Sequence, residues 1–294
     1  MYNIFKMPTF VKAGIYSFAA LFFGVILLGF DQPILPKPHW ISLFNGKNLE
    51  GWDAWLGVPF DSAGKKMNVA PPGLDNDPKQ VFSVDSDSDG EKLIRVSGEQ
   101  FGGLISKQEY ENYHLQLEFK WGKLTWAPKK KRKKDSGLLY HSVGELGGDN
   151  GFWLRSQEFQ IEQGNVGDYW GVSGAFEDVP ADKMNDSTFV YDPGGNFYTF
   201  STHTPAGRHC VKKGDAEKPT GEWNTLDLYC HGDTSVQVVN GQIMMVLYHS
   251  QQWDNGSASP LTKGKLQIQS EGAEVYYKNI RIKPIYSLGE ILGR

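Results

Sequence analysis

The chain has 294 residues, 39% of them hydrophobic and 13% aromatic, with 34 Gly and 15 Pro. These are the proportions of a folded protein rich in turns and poor in long helices. All-β sandwiches commonly pass about 200 residues as one unit, so a single β-domain is expected. The formal charge of −4 gives no overall field for nucleic acid, which excludes it as a partner.

In residues 1–30, Lys6 and Lys12 frame the approach to an apolar run over 13–30, and no acid occurs before Asp31. This is the composition of an export signal and predicts a periplasmic or extracellular protein. A run of about 18 residues also reaches the lower limit for crossing a bilayer, so a retained anchor is the alternative to a cleaved signal peptide. The membrane enters only through this segment, and no Cys at its end offers a lipid attachment point. Residues 31–39, with the Pro-rich stretch 32–38, read as a linker. Residues 40–286 read as the domain and 287–294 as a tail.

From Lys92 onward apolar and polar residues alternate with the period of strands. Over 113–121, Tyr113, Leu115, Leu117, Phe119 and Trp121 share one face, and His114, Gln116, Glu118 and Lys120 the other. Further strands are predicted at 136–143, 156–162, 196–202, 225–230, 236–239, 242–247, 265–270 and 275–285. Asn240-Gly241 joins two of them as a two-residue hairpin turn that needs positive φ at both positions. So many strands without a long amphipathic helix predict a sandwich or barrel.

Three smaller features carry alternatives. Cys210 and Cys230, the only cysteines, either pair in an oxidising compartment or remain buried thiols. The basic run at 129–134 (KKKRKK) is expected as a protruding hairpin loop. It is either a solvated tip or a site for phosphate or an anionic polymer, and it lacks the interleaved aromatics of a nucleic-acid platform. Residues 85–89 (DSDSD) lack the Glu that closes a calcium loop and read as a turn with incidental acids.

Residues 156–170 (SQEFQIEQGNVGDYW) are the most unusual stretch. In a strand, Glu158, Gln160 and Glu162 share one face and Phe159 and Ile161 the other. Such a row either lines a polar groove or faces solvent. Trp153, Tyr169 and Trp170 flank it, and rings beside carboxylates and amides suit stacking on a sugar while its hydroxyls are hydrogen-bonded. Gln269 and Glu271 recur two apart near the end of a late strand. His141, with Leu139 on its own face, is either a structural imidazole or part of the same cleft. Together these residues suggest a saccharide site. Glu158 and Glu162 lie about 13 Å apart along one strand, too far for the carboxylate pair of a conventional glycosidase. That chemistry would need Glu271 or another acid brought across by the fold.

The motifs at 42–52 (SLFNGKNLEGW), 135–141 (DSGLLYH), 158–162 (EFQIE), 221–224 (GEWN), the Asn240-Gly241 turn and 266–282 (LQIQSEGAEVYYKNIRI) resemble, in this order, the 3-keto-disaccharide hydrolase family. That family is also known as domain of unknown function 1080. The resemblance runs over essentially the whole of the predicted domain. It implies an all-β, two-sheet antiparallel jelly-roll sandwich of the concanavalin and laminarinase type, with a ligand groove on the concave sheet. It also implies cleavage of glycosides already oxidised at C3: a base removes the C2 proton, the aglycone leaves C1, and water adds back. In that scheme His141 is the base, Glu158 or Glu162 the acid, and Gln160 anchors a hydroxyl or the keto oxygen. Trp153, Tyr169, Trp170, Gln269, Glu271 and Lys278 complete the substrate site. The scheme requires no cofactor, although a divalent metal ion held by Glu and His is an alternative stabiliser of the enolate oxygen. Many members carry Arg in place of His141, Asp in place of Glu162 and Arg in place of Lys278. Two other readings stand beside this one: a non-catalytic carbohydrate-binding protein, which needs no converging base and acid, and a conventional two-carboxylate hydrolase acting on unoxidised glycosides.

Overall fold

The computed structural model describes residues 38–254 and 256–293. The predicted export segment and nearly all of the linker lie outside the described residues. In chain order the elements are β1 (Ile41–Ser42), β2 (Trp52–Leu56), β3 (Gly73–Leu74), β4 (Phe82–Ser86), β5 (Lys92–Val96), β6 (Gly102–Tyr110) and β7 (Tyr113–Thr125). There follow β8 (Asp135–Val143), β9 (Arg155–Glu162), β10 (Tyr169–Val172), β11 (Ala175–Lys183), β12 (Phe189–Tyr191), β13 (Asn196–Phe200) and β14 (His209–Cys210). The last are β15 (Asn224–His231), β16 (Thr234–Val239), β17 (Gln242–Asp254), β18 (Ser257–Pro260), β19 (Gly264–Ser270), β20 (Ala273–Pro284) and the single turn of helix α1 (Gly289–Leu292).

These strands make two sheets with antiparallel pairing between neighbours. One runs β12-β11-β17-β16-β15-β7-β20-β5-β4, with β1 on β20, β13 on β11 and β18 on β17. The other runs β14-β10-β9-β8-β19-β6-β2-β3. The expected two-sheet sandwich is therefore the fold. The apolar face of β7 packs, between the sheets, against Leu138 and Tyr140 of β8, Phe159 and Ile161 of β9, and Leu266 and Ile268 of β19. Each fully buried Leu, Ile or Phe contributes about 1.5–3 kcal/mol. A one-residue slip of β9 would send Phe159 and Ile161 outward, so the core fixes the register. It thereby fixes which residues stand on the outer face of the second sheet.

Asn240 and Gly241 adopt φ of 48° and 80°, as the hairpin turn between β16 and β17 requires. The acids at 85–89 run from the end of β4 into its turn with β5, where Asp87 Oδ1 accepts the amides of Asp89 and Glu91 at 3.0 and 2.9 Å. Cys210 and Cys230 are both free and buried in separate apolar clusters, which removes the disulfide alternative. The strands before Lys92, together with β5, β6, β10, β11, β12, β14 and β18, are not among the predicted segments. Most are short, and β11 interrupts its alternation with Pro180.

Strand β8 breaks its own alternation near its end. Pairing slips against β9 between Tyr140 and Val143, and against β19 between Lys265 and Gln267, while His141 takes φ 51°. Regular alternation from Asp135, Gly137 and Leu139 would put His141 on the outer face. The bulge instead turns its ring into the core, edge-on to Tyr113 at 5.9 Å and to Tyr140 at 5.3 Å between ring centroids,.

Candidate functional site

The outer face of the second sheet carries a polar cavity of about 250 Å³. Its floor is the polar row of β9, Glu158, Gln160 and Glu162, flanked by Asp135 of β8, Gln269 of β19 and Trp170 of β10. Loops add Lys129, Asp149, Trp153 and Asn165 on one side, and Arg208, His209 of β14 and Glu271 on the others. Another cavity of the same volume lies between Asp53, Ile105, Leu154 and Lys265, but the unpartnered buried oxygens of Asp135 and Gln269 belong to residues lining the first.

The floor is close-packed because β8 has no side chain at its centre. A Cβ at Gly137 would meet Glu158 Oε1 at 2.4 Å and Gln269 Oε1 at 2.6 Å, so only glycine lets these two side chains reach toward each other over β8. Glu158 and Gln269 are 6% and 1% exposed. Among the described residues Gln269 Oε1 and Asp135 Oδ1 are buried without a hydrogen-bond partner. Unmet groups of this kind, aimed into a cavity, are what a bound ligand would satisfy.

Charge in the cavity is organised around Lys129. Its ammonium bridges Asp135 and Glu271. Burial works to lower its pKa, but the two carboxylates outweigh this and hold it above the ordinary lysine value. Glu158 has no such partner. Burial first, then the neighbouring charges of Glu271 and Asp135, raises its pKa well above the ordinary carboxyl value, with Arg208 and Lys129 opposing. Burial likewise raises the carboxyl of Glu271, against the pull of Lys129. Burial and the charge of Glu271 also raise Asp135, against Lys129, so the site places an unpaired carboxyl with a raised pKa beside a lysine bridged by two carboxyls.

The opposite wall is aromatic. Trp170 and His209 stack at 4.2 Å with planes 15° apart, and the Arg208 guanidinium sits 5.2 Å from the Trp170 ring centre. His209 Nε2 is 2.9 Å from Asp168 Oδ2, while Asp168 Oδ1 accepts the Lys212 amide at 3.0 Å. An ionised Asp168 can only accept, so Nε2 is the donor in this contact and Nδ1 is the ring nitrogen that Asp168 does not engage. Glu158 and His209 are both register partners of Trp170, one on each side. Their backbones therefore stand about 10 Å apart, two strand spacings, with the Trp170 ring between them.

The fold brings together Glu158, Gln160, Glu162, Trp153, Trp170, Gln269 and Glu271 of the residues anticipated from sequence. It does not bring His141, whose buried Nδ1 lies 3.0 Å from the Leu261 carbonyl and whose pKa burial lowers to about 4. It does not bring Tyr169, which alternates inward from Trp170 and donates to Gln157 Oε1 at 2.6 Å. Nor does it bring Lys278, which lies on β20 of the other sheet and pairs with Glu91. The β9 row is a groove floor and not a solvent face, and the first lysine of the basic run points into the cavity. Sequence reasoning missed Asp135, Asp149, Asn165, Arg208 and His209. Asp135 and Gly137 lay inside the DSGLLYH motif, whereas nothing local marked Arg208 and His209. Among the described residues no three of His, Cys, Asp and Glu are grouped to hold a metal ion, and Lys129 takes the place between Asp135 and Glu271 that a cation would fill. The expected Glu and His ligand set for a divalent ion does not fit this donor arrangement.

The sequence profile of the 3-keto-alpha-glucoside-1,2-lyase-like domain matches residues 39–283. The chain belongs to this family. Membership makes the protein a sugar-active one of glycoside-hydrolase-like kind. No functionally curated protein matches the sequence. Among solved structures, a candidate glycosyl hydrolase from Parabacteroides distasonis is 19% identical, with a TM-score of 0.45 over 84% of this chain and 100% of that one. A β-glucanase from Bacillus licheniformis is 12% identical, with a TM-score of 0.39 over 86% of this chain and 100% of that one. A carbohydrate-binding module from Bacillus subtilis is 10% identical, with a TM-score of 0.38 over 68% and 89%. At these values the structural likenesses carry no inference about activity for this 3-keto-alpha-glucoside-1,2-lyase-like domain.

Proposed function

We propose that the protein acts outside the cytoplasm and cleaves glycosides whose sugar carries a ketone at C3. The ketone acidifies the C2 hydrogen. His209 Nδ1 takes that proton, the electron pair moves to form the enolate, and the C1–O bond then breaks with its oxygen protonated by Glu158. Water adds across the resulting double bond, one hydrogen returning to C2 and the hydroxyl to C1, so that the net change is hydrolysis. Lys129 and Arg208 supply positive charge for the developing enolate oxygen, which is the largest electrostatic demand of the reaction. Gln160 and Gln269 hold hydroxyl groups, and Trp170 carries the sugar's C–H face.

One observation carries this reading. A buried carboxyl whose pKa burial raises above the ordinary value, without a side-chain hydrogen bond among the described residues, stands across an aromatic platform from an imidazole whose Nε2 meets Asp168. The arrangement sets a carboxyl suited to give a proton opposite an imidazole placed to take one. The export composition of residues 13–30 supports the location.

The test offers purified protein a chromogenic 3-keto-glucoside and its unoxidised counterpart in deuterated water. Aglycone release from the keto compound alone, with deuterium incorporated at C2, is expected. Cleavage of the unoxidised glycoside would instead indicate a two-carboxylate hydrolase. Binding without turnover of either would indicate a carbohydrate-binding protein.

A further inference from the structure

The basic run at 129–134 divides its labour. Lys129 turns into the cavity to Asp135 and Glu271, and Lys134 donates to the Gly122 carbonyl. Lys133 donates to Asn165 Oδ1 at 3.0 Å, and Asn165 in turn bonds Glu162 on the cavity floor. The loop is thus pinned at both ends, with one end tied to the rim of the site. Between those ends Lys130, Lys131 and Arg132 are exposed, and neither they nor Lys133 form an ion pair among the described residues. The four cations are consecutive, with Cα atoms about 3.8 Å apart against a Debye length of about 8 Å at physiological salt; Lys133 reaches the rim through Asn165, while Lys130 borders a second cavity with Thr125 and Trp126. The run adjoins a cavity of the opposite character, where Asp135, Asp149, Glu162 and Glu271 outnumber the cations Lys129 and Arg208. An anion is repelled from the floor and attracted to the rim.

We propose that the ledge Lys130–Lys133 binds the acidic portion of a saccharide whose neutral sugar occupies the cavity, so that the substrate is a neutral sugar joined to a carboxylated or sulfated unit. This rests on the saccharide reading of the cavity and adds the class of its neighbour. A bilayer is the less suited partner, because residues 129–134 carry no apolar side chain to enter one,. The absence of interleaved aromatics disfavours nucleic acid in the same way. A single exposed pair contributes little, so the recognition is collective and depends on ionic strength.

The experiment measures binding, apart from turnover, by calorimetry with a disaccharide of one neutral glucose and one glucuronate and with the uncharged glucosyl-glucose of the same linkage. Three proteins are compared: wild type, the triple variant Lys130→Gln/Lys131→Gln/Arg132→Gln, and a control with the same charge loss at Lys47, Lys92 and Lys213. At low salt the acidic oligosaccharide is expected to bind wild type and control at least tenfold more tightly than the neutral one. The preference is expected to vanish in the triple variant and at 0.5 M salt on the order given by Debye screening. Equal affinity for the two sugars, or equal loss in the control, would overturn the proposal. So would triple-variant-sensitive binding to vesicles rich in phosphatidylglycerol without discrimination between the sugars. Failure of the 3-keto-glucoside assay with the acidic preference intact would overturn the proposed reaction and leave the ledge standing.

Discussion

Gly137 and Glu158 approach so closely across β8 and β9 that a Cβ on Gly137 would fall 2.4 Å from Glu158 Oε1. The atoms displaced are the far ends of two flexible side chains, Glu158 and Gln269, so the fold can absorb an alanine there. The site cannot, because a shift of about 1 Å in a reacting group costs on the order of a hundredfold in rate. Gly137→Ala is expected to leave the melting temperature nearly unchanged while lowering kcat at least tenfold. Both are read from thermal unfolding and steady-state kinetics on the same preparation.

In the proposed reaction Glu158→Gln removes the proton given to the leaving oxygen, yet keeps the shape of the side chain. Loss of general acid catalysis costs about 10²–10⁴-fold, and kcat should fall within that range on substrates with poor leaving groups. Aglycones that leave unaided should be affected far less. In wild type, activity should decline as pH rises through the raised pKa of Glu158, because the acid form is then lost. That alkaline limb should be absent from the variant's profile.

Asp168→Asn tests the imidazole. The Lys212 N–H can only donate, so the amide oxygen stays with it and the amide NH2 faces His209 Nε2,. In the neutral ring the proton then sits on Nδ1, and the proposed base is lost. We expect kcat to fall about a hundredfold or more with KM little changed. The change in the His209 tautomer is visible by nitrogen NMR, which a purely structural defect would not reproduce.

Stability should respond to pH through two buried groups that face neither solvent nor the site. Burial raises Glu177 to about 8, against the hydrogen bonds it accepts from Tyr140 and Ser235. The folded state therefore prefers its neutral form, and stability falls as pH rises from the unfolded carboxyl value of about 4.3 towards that folded pKa. His141 works in the opposite sense. Its folded pKa of about 4 lies below the unfolded value of about 6.5, so stability falls as pH drops through that window. Melting temperatures of Glu177→Gln and wild type should converge near pH 5 and separate by pH 8, with wild type the lower. Parallel curves would show that Glu177 does not titrate with folding.

The β9 row was legible because it depends on one local rule, that neighbouring strand residues point to opposite faces. The same rule explains one error: Tyr169 and Trp170 cannot both reach the groove from adjacent strand positions. His141 failed for another reason. A bulge in β8 shifts its pairing with β9 and β19, and the slip depends on partners far away in the sequence. Arg208 and His209 were invisible because a two-residue strand has no periodicity to read. Only its pairing with β10 places His209 beside Trp170.

By itself the sequence determined an all-β sandwich or barrel, which residues of β7 and of β9 share a face, the hairpin at Asn240-Gly241 and the row of polar side chains at Glu158, Gln160 and Glu162. Those follow from hydrophobic periodicity and turn chemistry, which act over a few residues. Tertiary structure decided which groups meet. It sent Lys129 of an apparently solvated run between Asp135 and Glu271, turned His141 away, and delivered His209 in its place. Long-range strand pairing and loop trajectories set those directions, and both arise only when separate segments compete for the same space.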